Sequence, residues 1–210
     1  MKRFLLTALL ASVISLPASA ALKEGDKAPD FTTQASLDGK AYSFSLKEAL
    51  KKGPVVVYFY PSAYTGGCNV QAHTFAQKYE KFAAAKATVV GVSLDNIERL
   101  NEFSADPDYC AGKVSVASDI DGKISKSYEL AVRDAVPGKK DTRGKDINHG
   151  YAERTTFVVT QDGKIAATIG GIKPAENVGK ALEVVEKIAV ASTTQAKVSK
   201  AEGSKLEELK

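Results

Sequence analysis

Cysteine is scarce in this chain: 210 residues carry two thiols, Cys68 and Cys110. That excludes a disulfide framework and allows one bridge at most. Histidine is equally scarce, and neither His73 nor His149 has companion ligands at useful spacing, so no metal site is expected and no cofactor is implied. "DIDG" (119–122) lacks the other ligands and the closing Glu of a calcium loop and reads as a capped turn. Net charge is also small. The formal value of +4 falls to +2 once Lys2 and Arg3 are set aside, too little to argue for nucleic acid or an acidic partner. Beyond the N-terminus no apolar run is long enough to span a membrane.

What is present starts with a processing signal. Lys2 and Arg3 precede an apolar stretch from Phe4 to about Leu16, followed by Pro17 and the small residues Ala18-Ser19-Ala20. This is the pattern of a cleavable secretory signal, cut after Ala20, and it predicts a periplasmic or secreted protein. Removing 20 of 210 residues leaves 190, enough for one domain with a full core. The domain is placed at 21–191, with a polar and flexible tail at 192–210.

Residues 21–40 read as loop with short extended pieces, and "AYSFS" (41–45) as a short strand. "PVVVYFY" (54–60) is apolar throughout, as in a strand buried on both faces. Helical spacing follows from Gly67 to about Ala85. Then come a strand (87–94), a helix at 95–103 opened by an Asp cap, a strand (113–119) and a short helix (121–130). A polar loop runs from about Val132 to His149, and its "GKKDTRGK" (138–145) reads as solvated charge. A hairpin at 154–170 turns at Asp162-Gly163, and a helix (174–191) opens on Pro174. Strands alternating with helices before a closing hairpin give an α/β fold with a mixed central sheet flanked by helices.

"YPSAYTGGCNV" (60–70) carries Cys68 at the point where the buried strand gives way to a helix. Unpaired N–H groups and the helix dipole favour an anion there, hence a thiolate over a thiol. Gly66 and Gly67 permit a tight turn under the sulfur. Thr65 offers a hydroxyl as a donor, and Pro61 fixes the chain and shields the site.

This stretch resembles the Pro-x-x-x-Thr-x-x-Cys pattern of peroxiredoxins at Pro61, Thr65 and Cys68. "GDKAPDF" (25–31), "VVGVSLD" (89–95), "SDIDGKISKSYEL" (118–130) and "RTTFVV" (154–159) resemble further segments of that family in order, closest to its bacterioferritin-comigratory, or Q-type, branch. The resemblance covers about residues 23 to 190 and implies a thioredoxin-like fold. It also implies reduction of hydrogen peroxide or small organic hydroperoxides at Cys68, recycled by a thiol reductant. Arg154 is expected on its strand, holding charge that shifts from sulfur to the leaving oxygen.

Two departures stand out. His73 occupies the position, five after Cys68, where many Q-type members carry a second cysteine, and Gln71 stands where many have Glu. An internal resolving thiol must therefore be Cys110, which some relatives match in region though not in a fixed motif. Three readings of Cys110 stay open: the resolver of a Cys68 sulfenic acid, a partner in a permanent bridge, or an unpaired thiol beside an external resolver. A permanent bridge would close about 43 residues and stabilise by roughly 4 kcal/mol. His73, one helical turn beyond Cys68, could tune the thiolate, but is read first as a solvent-facing helix residue. A thioredoxin-like disulfide oxidoreductase would want Cys-x-x-Cys, and "CNVQ" supplies Gln71 instead. A non-catalytic thioredoxin-fold protein leaves Pro61, Thr65, Cys68 and Arg154 together unexplained. Monomer and homodimer are both compatible with the sequence.

Overall fold

The computed structural model describes residues 21–207, with side chains to residue 195; the expected signal segment lies outside them. The chain runs β1 (Thr32–Leu37), β2 (Lys40–Ser45), α1 (Leu46–Leu50), β3 (Val55–Phe59), α2 (Gly66–Gln77), α3 (Tyr79–Ala84), β4 (Thr88–Ser93) and α4 (Ile97–Ala105). It continues β5 (Ser115–Ser118), α5 (Lys123–Ser127), β6 (Val132–Arg133), β7 (Tyr151–Ala152), β8 (Thr155–Val159), β9 (Ile165–Gly170) and α6 (Pro174–Glu207).

Seven strands form one sheet in the order β2-β1-β5-β4-β3-β8-β9. The three central neighbours β5, β4 and β3 are parallel, while every pairing outside them, β5–β1, β1–β2, β3–β8 and β8–β9, is antiparallel. The expected mixed sheet is thus present. All five residues of β3 are buried, because both faces of its pleat are covered. Val56, Tyr58 and Tyr60 enter one core layer with Phe75 of α2, Leu100 and Phe103 of α4, and Val178 and Val185 of α6. Val55, Val57 and Phe59 enter the other with Phe44, Leu46, Tyr128 and Phe157. Tyr58 stacks on Phe75 at 4.5 Å between centroids, and each such buried ring contributes about 1.5–3 kcal/mol.

Several local expectations are corrected. Residues 32–45 form a hairpin rather than loop plus one strand. Asp38 (φ 49°) and Gly39 (φ 73°) both adopt the left-handed conformation that a two-residue turn between twisted strands requires. A short helix, α1, follows Ser45, whose hydroxyl accepts from the Glu48 N–H. The helix expected over 67–85 is two helices, broken where Lys78 leaves helical geometry (φ −97°, ψ 6°). Asp95 does not cap α4; Asn96 does, accepting from the Arg99 N–H at 2.9 Å, and the Asp95 carboxylate turns inward. Arg154 sits one residue before β8, not within it. The final helix continues past 191 to Glu207, through a segment of Ala, Lys and Glu that favours helix.

Candidate functional site

The sequence of α2 places Cys68 at its third residue, so the sulfur belongs to the first helical turn. Thr65 is the N-cap residue, with extended backbone, but its side chain makes no capping bond to the helix. Its hydroxyl instead donates to the Ser62 carbonyl at 2.8 Å. That corrects the expectation of a donor. With its proton committed to Ser62, the Thr65 oxygen has lone pairs to offer and acts as an acceptor.

Cys68 is 2% exposed. Arg154 arrives from the start of β8 and its Nη2 lies 3.2 Å from Sγ, so a permanent positive charge faces the sulfur. The guanidinium is anchored on its other nitrogen, where Nη1 donates to Gln71 Oε1. Gln71 Nε2 donates to Asn177 Oδ1 at 3.1 Å, and Asn177 also accepts from Thr156 Oγ1 at 2.6 Å and donates to the Ile169 carbonyl at 2.9 Å. All of Gln71, Asn177 and Thr156 are buried, so this chain of bonds is sheltered from competing water. Gln71 therefore anchors the guanidinium, and Asn177 and Thr156 complete an arrangement that no sequence pattern suggested. Gly67 leaves room for it: a Cβ there would lie 3.1 Å from Arg154 Nη2 and 3.3 Å from Pro174 Cγ.

Pro61 is half-buried two residues past the end of β3, and the three residues between it and Thr65 are each tied down. Ser62 Oγ and the Ala63 N–H donate to the two oxygens of Asp95, at 2.9 and 2.8 Å. The Ala63 carbonyl accepts from Arg99 Nη2 at 2.9 Å. The Tyr64 carbonyl accepts from both the N–H and the hydroxyl of Thr142, each at 2.9 Å. Tyr64 itself is held with φ at 59°, a conformation that costs a non-glycine residue about 1–2 kcal/mol and requires such support. The guanidinium of Arg143 lies over its ring, 3.2 Å from the centroid. Asp141 is buried, pairs with Arg99 at 2.8 Å and accepts from the backbone of Arg143 and Lys145. Its pKa lies below the ordinary carboxylate value, burial being outweighed by those N–H groups and by Arg99. The segment read as solvated charge is, in part, a buttress for the loop that carries Thr65.

Cys110 lies fully buried in the same core layer as Cys68, in the turn after α4, and both thiols are free. Burial pushes the Cys110 pKa up, and Asp106 adds in the same direction, so at neutral pH it is a thiol. Tyr58 lies within electrostatic range of both sulfurs, and its hydroxyl is buried without a partner among the described residues. Ala111 and Gly112, next in the chain, have φ of 51° and 65°. His73 is exposed, as expected, but bonded: its Nδ1 lies 2.9 Å from the Asp108 carbonyl, joining α2 to the segment that carries Cys110.

The profile of the AhpC/TSA family matches residues 24–168. A Helicobacter pylori chain named as a bcp peroxiredoxin is 33% identical over 162 residues, covering 77% of this chain and 97% of its own length. The chloroplastic peroxiredoxin Q of Oryza sativa subsp. japonica is 30% identical over 168 residues, covering 80% and 68%. Among solved structures, peroxidoxin BcpB of Mycobacterium tuberculosis superimposes with a TM-score of 0.64 at 27% identity, over 80% of this chain and 98% of that one.

Proposed function

The chain belongs to the AhpC/TSA family and is a thiol-dependent peroxidase, and from that premise we propose that Cys68 is the thiol peroxide oxidises and Cys110 the thiol that resolves it. The observation that carries the assignment is the Arg154 guanidinium 3.2 Å from a sulfur in the first turn of a helix. In the first step the Cys68 thiolate attacks one oxygen of the hydroperoxide. An S–O bond forms, the O–O bond breaks, and sulfur loses two electrons. The other oxygen leaves as hydroxide or alkoxide and takes up a proton to become water or alcohol. Arg154 faces the charge as it shifts along the S–O–O axis, and the Thr65 oxygen is placed to accept from the peroxide O–H. Pro61, half-buried in the same loop, is assigned the shielding of the sulfur.

The second step joins Cys110 to the Cys68 sulfenic acid, forming the S–S bond and releasing water. An external dithiol then reduces the bridge by exchange. A buried Cys110 held as a thiol is a poor nucleophile, so resolution requires the first turn of α2 and the 106–113 turn to open. The N-terminal pattern supports a periplasmic or secreted location, where such a bridge forms readily.

The test uses reduced wild type, Cys68→Ser and Cys110→Ser with stoichiometric hydrogen peroxide, followed by thiol count and intact mass. Wild type is expected to lose two thiols and two hydrogens, Cys110→Ser to gain one oxygen, and Cys68→Ser to stay unchanged. Rapid thiol oxidation in Cys68→Ser overturns the assignment of Cys68. A wild-type sulfenic acid with Cys110 still free overturns only the resolver.

A further inference from the structure

We propose that His149, held as an imidazolium, is a positioning residue for the loop that carries Thr65, so that peroxide reduction depends on its proton. The proposal rests on the peroxidase reading of Cys68 and adds a residue that neither the family motif nor the sulfur's own neighbours include.

The contacts of the ring favour its doubly protonated form. His149 Nε2 lies 2.8 Å from Asp95 Oδ1 and Nδ1 lies 2.7 Å from the Gly150 carbonyl. Both neighbours are acceptors in an ionised site, and a neutral imidazole has one N–H to give. Only the doubly protonated ring satisfies both contacts. Losing that proton turns one of the two short contacts into a meeting of lone pairs, and the ring must release either Asp95 or Gly150.

Asp95 is the hub that would feel the release. Its carboxylate is 0% exposed and accepts from Ser62 Oγ, the Ala63 N–H, Ser93 Oγ and His149. Arg99 pairs with it at 2.9 Å. Two of these contacts set the path of residues 62 and 63, and the Ser62 carbonyl is in turn what the Thr65 hydroxyl grips. The line from His149 to Thr65 is therefore continuous: imidazolium, carboxylate, loop backbone, hydroxyl.

The other charges around the ring do not supply a substitute. On its buried side are Asp95 and Arg99, and Tyr151 packs against it at 6.0 Å between centroids. The ring side chain is 18% exposed on the wall of a cleft of about 560 Å³, shared with Glu98, Asp146, Arg143 and Lys145. Arg143 and Lys145 are engaged by Glu102, and Asp146 by Lys140. Burial disfavours the charge on His149, yet the bond and charge of Asp95 outweigh it and the pKa stands above the ordinary histidine value. The cleft gives the proton a route to bulk water.

Three measurements test this on the reduced full-length protein. The chain has two histidines, so NMR titration, with His73→Gln to assign signals, gives the His149 pKa directly. Rapid-quench oxidation of Cys68 by hydrogen peroxide between pH 5.5 and 9 should show, as pH rises, a rate loss of about fivefold with that same pKa. His149→Gln should remove this limb and react slowly at all pH values. In a Thr65→Val background, His149→Gln should have no further effect on the rate. A rate profile identical in wild type and His149→Gln overturns the proposal, as does an equal penalty with and without Thr65. If His149→Gln fails to fold, a wild-type kinetic limb more than one pH unit from the NMR value is the overturning result. A wild type with no peroxide-dependent oxidation at any pH, in contrast, defeats the underlying peroxidase reading.

Discussion

Replacing Gly67 by Ala separates what serves stability at the site from what serves chemistry. Gly67 lies in the first turn of α2 with no positive φ, so Ala meets no backbone strain. Its helix propensity should raise stability by about 0.5–1 kcal/mol. The new methyl, however, would stand 3.1 Å from Arg154 Nη2 and 3.3 Å from Pro174 Cγ. Proline in a helix start cannot yield easily, whereas a guanidinium can swing. If Arg154 retreats by about 0.5 Å from its 3.2 Å contact with Cys68, its attraction for the thiolate weakens by about 0.7 kcal/mol at an effective dielectric of about 20. Losing the hydrogen bond altogether adds to this and reaches about 1.5–3 kcal/mol. Cys68 oxidation should therefore slow by about threefold to one hundredfold while the melting temperature rises or holds. The chain has no tryptophan, so the rate is best followed by rapid quench and mass spectrometry, with stability from urea unfolding. Unchanged reactivity in a stabilised Gly67→Ala protein would refute the view that Arg154's approach sets the rate. A loss of more than 1 kcal/mol would refute the clearance argument itself.

His73→Ala removes one bond between α2 and the Asp108 carbonyl, worth about 1 kcal/mol. Disulfide closure after sulfenic acid formation should accelerate up to about fivefold, seen as a higher peroxide concentration needed to form sulfinic acid at Cys68. Thermal stability should peak between about pH 4 and pH 6.5. The Asp95 pKa is lowered, despite burial, by His149 and the Ala63 N–H, so its contribution is present above the unfolded value and lost as pH falls through the folded one. The His149 pKa is raised, so its contribution is complete below the unfolded value and fades as pH rises through the folded one. Melting curves of His149→Gln should lose the alkaline slope. Asp141→Asn unbalances Arg99 and Arg143 in a buried site and should destabilise by about 3 kcal/mol in urea unfolding while slowing Cys68 oxidation.

The parts of this fold visible in the sequence are those written in short-range pattern. The apolar run of β3, the Asp-Gly turn of the closing hairpin and Pro174 at a helix start each have a local physical cause. The same holds for Cys68, because the strand-to-helix junction is itself a local signal. What escaped was decided by distant partners. Asp95 looks like a helix cap until the burial of Ser62 and Ala63 calls for a carboxylate. Asp141, Thr142 and Arg143 look like solvated polar residues until Tyr64, in its left-handed conformation, needs bracing. Asn177 sits in the polar opening turn of an amphipathic helix, where nothing nearby distinguishes it from a surface residue. The Thr65 hydroxyl could be located but not oriented, since the direction of its proton depends on the Ser62 carbonyl.

The anchoring of Arg154 by Gln71, and of Gln71 by Asn177, has a consequence in time as well as space. A chain synthesised from its N-terminus exposes Cys68 well before Arg154 exists, and Asn177 later still. Until the last helix docks, the sulfur lacks both its positive neighbour and the brace that holds that neighbour. If Cys68 is the thiol that peroxide oxidises, as proposed above, its full reactivity arises only at the close of folding. A nascent chain would then meet oxidants unarmed, and only the finished domain would react with them.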